Sequence, residues 1–162
     1  MTNKLLPTTV VGSYVQPLWL VNRDILHSMV PPRVRAKEIW RIPAKFLKEA
    51  QDAATLVAIR DMERAGIDII SDGEMRRESY SNHFATALGS VNTEKPVEVP
   101  GRSGRPIRVP PDYRSHFSSK PIQTKDVEFL RKHTTHPIKV TLPGPFTMTQ
   151  TAVDEFYGDD EA

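Results

Sequence analysis

No cysteine occurs anywhere in the 162 residues, which excludes disulfides, thiolate metal ligands and a cysteine nucleophile within this chain. Long apolar runs are absent too. None approaches the ~20 residues that a membrane span needs, and residues 1–7 carry no charged-then-apolar leader pattern. The expectation is a soluble, cytoplasmic protein. Charge of one sign is also lacking: Lys and Arg number 22 against 20 Asp and Glu, a net +2, too small a surplus to point to nucleic acid. Arg102, Arg105 and Arg108 gather, but among glycines and prolines, and they read as a solvated loop. There is no G-x-G-x-x-G or Walker loop, so nucleotide binding has no support. The five histidines, His27, His83, His116, His133 and His136, form no H-x-H or H-E-x-x-H spacing, and a local zinc site is not expected. His133 and His136 flank a predicted helix end, where capping or solvation is the expected role.

What the sequence does have is an apolar fraction of 38% against 26% charged residues, with the apolar residues in blocks. That suffices for one globular domain over 1–162 with a real core. The β-branched run at 8–14 predicts a short strand ended by Gly12-Ser13. Leu18, Val21, Ile25 and Met29 give a loose helical spacing over 17–29, broken by Pro31-Pro32. The strongest helix is expected over 43–65. Its stripe is Phe46, Ala50, Ala53, Ala54 and Val57, widened by Ile59 and Met62, with Pro43 in the first turn and Gly66 as the stop. Residues 67–71 (IDIIS) follow at once as a strand buried on both faces. A second helix is expected over 78–88. Residues 89–121, dense in Gly, Pro and charge, read as a loop or hairpin excursion in which only 106–109 looks extended. A helix over 124–133 with Thr124 as N-cap, a strand over 137–142, the Pro143-Gly144-Pro145 corner and a last helix over 146–156 complete the order, ahead of an acidic tail.

Strands separated by helices predict an α/β fold with a parallel sheet. Three core strands leave an edge to be covered, and an eight-stranded barrel needs ~250 residues. The expectation is therefore an incomplete fold: a fragment, or a chain completed by a partner.

In parallel α/β folds, function sits beyond the C-terminal ends of the strands. Three signals fall there: Gly12-Ser13, Asp72-Gly73-Glu74 and Pro143-Gly144-Pro145. Each is also an ordinary turn, but a structural turn has no reason to prefer that face. Glu74 is the sharpest. Beside a glycine it can point into a cavity while the backbone approaches a ligand, and Arg76 and Arg77 favour its charged form, which suits an ammonium group. The competing reading is a surface salt bridge to either arginine. Paired acid/base work by Asp72 and Glu74 is disfavoured, because both carboxylates come from one loop.

Three stretches appear in order: Thr8-Thr9-Val10-Val11-Gly12-Ser13-Tyr14, then Ala65-Gly66-Ile67-Asp68-Ile69-Ile70-Ser71-Asp72-Gly73-Glu74-Met75-Arg76-Arg77, then Lys139-Val140-Thr141-Leu142-Pro143-Gly144-Pro145-Phe146-Thr147. Together they resemble the C-terminal catalytic domain of cobalamin-independent methionine synthase, particularly its shorter stand-alone prokaryotic relatives. The resemblance covers the first part of such a domain. It implies a (β/α)₈ TIM-type barrel that moves a methyl group from a methyl-folate-type donor to the thiol of homocysteine, a step of methionine biosynthesis. It implies that Gly12, Ser13 and Glu74 hold the amino-acid part of homocysteine, with Asp72, Arg76 and Arg77 as further candidate contacts to substrate or donor. The family's zinc, which turns the thiol into a thiolate, is bound by His, Cys and Glu residues further along the barrel, and no counterpart of those ligands is expected in this chain. Implied partners are homocysteine or a similar small thiol, the methyl donor, and a second chain or self-association to complete the barrel. Related barrels use zinc-thiolate chemistry for other alkyl transfers, including epoxide opening by coenzyme M. A non-catalytic truncated or split-barrel subunit is the reading from a different class.

Overall fold

The computed structural model describes residues 5–29, 36–80, 82–87, 97–100, 104, 106–109 and 121–149. Its elements are, in chain order, α1 (Arg23–Ser28), a 3-10 turn (Lys37–Ile39), α2 (Ala44–Arg64), α3 (Asn82–Ala85), β1 (Val97–Pro100), β2 (Pro106–Val109), α4 (Thr124–His133) and α5 (Pro145–Thr149). They divide between two compact units. The first comprises Met1–Asn22, Trp40–Arg76 and Gln123–Thr141; the second comprises Arg23–Ile39, Arg77–Ile122 and Leu142–Ala162.

The first unit is built on three parallel extended segments. Thr9 bridges Ile69 and Ile70 bridges Ile138, both in parallel. The stretch 67–71 therefore lies between the other two, and Ile70 is fully buried there. Ile69 N–H donates to Thr8 O, Ile70 N–H to Pro137 O and Lys139 N–H to Ile70 O, at 2.8–3.0 Å. The parallel order agrees with the sequence expectation, but the expected strands at 8–14, 67–71 and 137–142 shrink to single bridges. Side chains take the backbone partners that a longer ladder would use. Thr8 N–H and Oγ1 both donate to Asp68 Oδ2 at 2.7 Å, and Lys139 Nζ donates to Val10 O.

Helix α2 leads into the middle segment. Pro43 precedes its first turn as N-cap, one position earlier than expected. At the other end Ile67 N–H donates to Met62 O and Gly66 N–H to Glu63 O, both at 3.0 Å. This is a Schellman stop that needs the left-handed φ of 73° at Gly66. The buried face is Ala54, Thr55, Ala58, Ile59 and Met62. Ala54, Ile59 and Met62 of the expected stripe lie on this face, whereas Phe46 and Val57 are each 50% exposed and Thr55 and Ala58 take their place. Alanines favour helix without choosing a side. The polar residue that joins the core, Thr55, hides its hydroxyl by donating to Gln51 O at 2.8 Å.

The segment expected to begin a helix at 17 instead turns back: Leu20 and Val21 N–H both donate to Pro17 O at 3.0 Å, and Val21 bridges Trp40 antiparallel. Leu20 and Val21 are thereby buried, and only Arg23–Ser28 of the predicted 17–29 is helical. Helix α4 has the predicted bounds, but Thr124 is not its cap. Gln123 occupies that position with no side-chain cap bond, and its carbonyl accepts from Asp126 and Val127 N–H at 3.1 and 3.0 Å.

In the second unit Ile39 and Val109 are buried, and Tyr80 Oη donates to Leu142 O at 3.0 Å. Of the predicted helix over 78–88, Asn82–Ala85 is helical, and 81 and 88 lie outside the described residues. Within 89–121, β1 and β2 pair antiparallel, with Val97 opposite Val109 and Glu98 opposite Arg108. Of the helix expected over 146–156, α5 is what falls among the described residues, and 150–156 lie outside them. No helix of the described residues is long and apolar enough to cross a membrane.

Candidate functional site

Two chain turns of the first unit meet after the parallel segments. The first carries Gly12, whose φ is 78°, with Gly12 and Ser13 both exposed. The second is Asp72-Gly73-Glu74. Tyr14 N–H donates to Gly73 O at 3.1 Å, which joins them.

The second turn is unusual in its backbone. Gly73 and Glu74 are both left-handed, at φ 66° and 59°, and Glu74 is the non-glycine residue with positive φ among the described residues. Such a conformation costs an L side chain roughly 1–2 kcal/mol; retained strain of this kind clusters where function needs a particular aim. Gly73 is required for space as well as for φ. A Cβ there would stand 3.0 Å from Ala58 Cβ and 3.1 Å from Tyr14 Cβ. Glu74 N–H donates to Asp72 Oδ1 at 3.1 Å, Gly73 N–H to Ser71 Oγ at 3.3 Å, and Gln16 Nε2 to Glu74 O at 3.4 Å. Asp72 is thus a backbone partner that shapes the turn, and it is 2% exposed. Glu74 is 8% exposed.

The arginines part company. Arg76 Nη2 donates to Asp52 Oδ1 of α2 at 2.6 Å, its Nε lies 3.6 Å from Asp126 Oδ1 of α4, and the side chain is 14% exposed. Its guanidinium sits 4.5 Å from the centre of the Phe129 ring. Arg76 therefore ties the turn to two helices. It also answers the salt-bridge reading of Glu74 as far as Arg76 goes, since Arg76's partners are Asp52 and Asp126. Arg77 is buried and falls in the second unit. The Pro143-Gly144-Pro145 corner belongs to that unit too, where Gly144 O accepts from Met148 N–H in α5.

Tyr14 supports the site from behind. Its hydroxyl donates to Asp61 Oδ2 of α2 at 3.0 Å, and this bond to a carboxylate, with burial adding to it, raises the phenol above its ordinary pKa. Sequence reasoning gave no role to Tyr14's hydroxyl, to Gln16 or to the left-handed Glu74. Asp72-Gly73 marked a turn without revealing that the residue after it shares the glycine's conformation.

Two of the histidines take structural partners. His133 Nδ1 lies 2.7 Å from Phe129 O with its ring 4.1 Å from the Phe129 ring and tilted 34° to it, and His83 Nδ1 is 3.5 Å from Glu78 Oε2. Among the described residues no group of three or more His, Cys, Asp or Glu side chains could hold a metal ion.

The family model described as "Cobalamin-independent synthase, Catalytic domain" matches residues 6–161. The chain belongs to this family. Its relatives in the cobalamin-independent synthase family include the methionine synthase of Pyrococcus horikoshii, 31% identical over 159 residues, which cover 98% of this chain and 44% of that protein. The methionine synthase of Sulfurisphaera tokodaii is 32% identical over 154 residues, 94% of this chain and 42% of that one. Among solved structures, a B12-independent methionine synthase from Shewanella sp. W3-18-1 in complex with selenomethionine is 34% identical with a TM-score of 0.79, over 96% of this chain and 43% of that chain. A putative vitamin-B12 independent methionine synthase from Listeria monocytogenes, at 21% identity and TM-score 0.61 over 98% of this chain and 44% of that one, shares the fold. The chain thus spans less than half the length of the relatives it matches.

Proposed function

We propose that this chain forms the amino-acid-holding wall of a homocysteine S-methyltransferase, contributing the first strands of a (β/α)₈ barrel in which a methyl-folate-type donor methylates the homocysteine thiol to give methionine. The observation that carries this reading is the main-chain bond from Tyr14 to Gly73, which brings the Gly12-Ser13 turn beside the turn that bears Glu74. Support comes from the family match and from the selenomethionine bound by the Shewanella relative, a ligand with the same amino-acid end. In this reading the Glu74 carboxylate binds the substrate ammonium, and Gly12 and Ser13 offer backbone and hydroxyl donors to its carboxylate. Asp72 acts by holding the turn. Completion of the barrel by further chain, a second polypeptide or self-association is part of the same proposal.

Zinc, which the family implies, does not fit the residues in view. The sequence has no cysteine, and the described residues bring no three ligating side chains together. No step here runs through it.

The test is calorimetric titration with homocysteine beside a thermal melt, for the natural chain and Glu74→Gln. Expected is a loss of roughly 1.5–3 kcal/mol of binding, the range for hydrogen bonds to charged groups, with the melt unchanged. Unchanged affinity with a lowered melting temperature would make Glu74 a structural residue and sink the reading.

A further inference from the structure

The left-handed pair Gly73-Glu74 is a conformation that has to be held. Two of its hydrogen bonds are local, from Gly73 N–H to Ser71 Oγ and from Glu74 N–H to Asp72 Oδ1. Two more come from the segment that follows Gly12-Ser13. Tyr14 N–H donates to Gly73 O at 3.1 Å, and Gln16 Nε2 donates to Glu74 O at 3.4 Å. Both acceptors are the carbonyls of the two residues with positive φ. Tyr14 is itself fixed from the far side, through its hydroxyl on Asp61 of α2, and its Cβ fills the space beside Gly73. Without these two donors, Glu74 gains by relaxing toward negative φ, where an L residue is unstrained. That rotation carries the Glu74 side chain away from its present direction.

We propose that Tyr14 and Gln16 are positioning residues: they clamp the Gly73 and Glu74 carbonyls and so aim the Glu74 carboxylate at the ammonium group of an amino-acid substrate. The inference rests on the reading of Glu74 as the ammonium-binding group. Neither clamp residue touches the substrate; both act through the backbone of Glu74.

The experiment uses the full 162-residue chain, with homocysteine as titrant and a thermal melt for each variant. Tyr14→Phe removes the phenol's tether to Asp61, and Gln16→Met removes the amide donor at similar length. Each is expected to weaken homocysteine binding roughly 3- to 10-fold, the loss of about one net hydrogen bond. Introduced beside Glu74→Gln, neither should weaken binding further, because the residue they position has already lost its charge. Asp61→Asn keeps an acceptor for the Tyr14 hydroxyl and should bind as the natural chain does, whereas Asp61→Ala should match Tyr14→Phe. A purely structural role predicts lower melting temperatures with natural affinity, and that result would overturn the clamp; so would full additivity with Glu74→Gln. If Glu74→Gln weakens binding while Tyr14→Phe and Gln16→Met do not, only the clamp falls. If Glu74→Gln binds like the natural chain, the reading of Glu74 falls and the clamp with it.

Discussion

Thr134, just past α4, donates its hydroxyl to Glu63 Oε1 in the last turn of α2 at 2.7 Å. That bond, joined by Arg60 at 2.6 Å, holds the Glu63 carboxyl below its ordinary pKa. Asp52 moves the same way: burial pushes its carboxyl up, but the bonds from Lys48 and Arg76 outweigh it and the net shift is down. Both groups therefore favour the charged form more when folded than when unfolded. Their contribution is complete above the ordinary carboxylate values, about 3.9 for Asp and 4.3 for Glu, and is lost as pH falls through the lower folded values. Denaturant unfolding across a pH series should show this acid limb. Thr134→Val should lower stability at pH 7 and flatten the limb. A limb as steep as the natural chain's would count against the Thr134 bond.

Arg76→Lys should destabilise the chain nearly as much as Arg76→Ala. A lysine can reach one carboxylate but cannot offer the fork that serves Asp52 and Asp126 while lying over Phe129. The expected cost is about 1.5–3 kcal/mol, read from urea midpoints. A Lys variant as stable as the natural chain would reduce Arg76 to a simple point charge.

Gly73→Ala combines two faults, a side chain at φ 66° and a Cβ 3.0 Å from Ala58 Cβ. Either α2 or the turn must shift. We expect a loss of roughly 1–3 kcal/mol in stability, together with weakened homocysteine binding, because Glu74 is the next residue. An alanine variant with an unaltered melt would mean that the turn is not packed on α2.

Within the first unit, Val11, Val15, Leu18 and Trp19 are exposed within nine residues of sequence, Val11 to 90%. Apolar side chains gathered this densely favour association. Sedimentation velocity over a range of concentrations should show species larger than the monomer, and polar substitutions at Val11 and Trp19 should reduce them. A single monomeric boundary at every concentration would contradict this.

Much of the framework was legible in the sequence because its signals are local. Proline before α2, Gly66 after it and the apolar run at 67–71 mark a helix, a stop and a buried extended segment without reference to anything distant. The parallel pairing of 8–14, 67–71 and 137–142 followed from their alternation with helices. What escaped depends on partners far apart in the chain. Asp68 capturing Thr8 shortened the expected ladder, and the pairing of Val21 with Trp40 and of Leu20 O with Arg41 N–H ended a helix that periodicity alone allowed. Which side of α2 turns inward was hidden by its alanines. At the candidate site, Glu74 stood out for its position, yet its backbone conformation is set by Tyr14 and Gln16, about 60 residues earlier. Arg76 looked like a neighbour of Glu74 by sequence; its partners are 24 residues before it and 50 after.

Helix α2 would form from its composition alone, but composition does not say where along its axis it must rest. Its inward face sets two alanines and a threonine beside just two large apolar side chains, Ile59 and Met62, so packing alone fixes that setting weakly. Three acids act as pegs: Asp52 meets Arg76, Asp61 meets Tyr14 and Glu63 meets Thr134, each on a different stretch of chain. Replacing all three with glutamine or alanine should leave circular dichroism almost as helical as before, yet free the rod to settle out of register. The acids of α2 carry an address, and a library that randomised the helix for propensity alone would keep the rod and lose the destination.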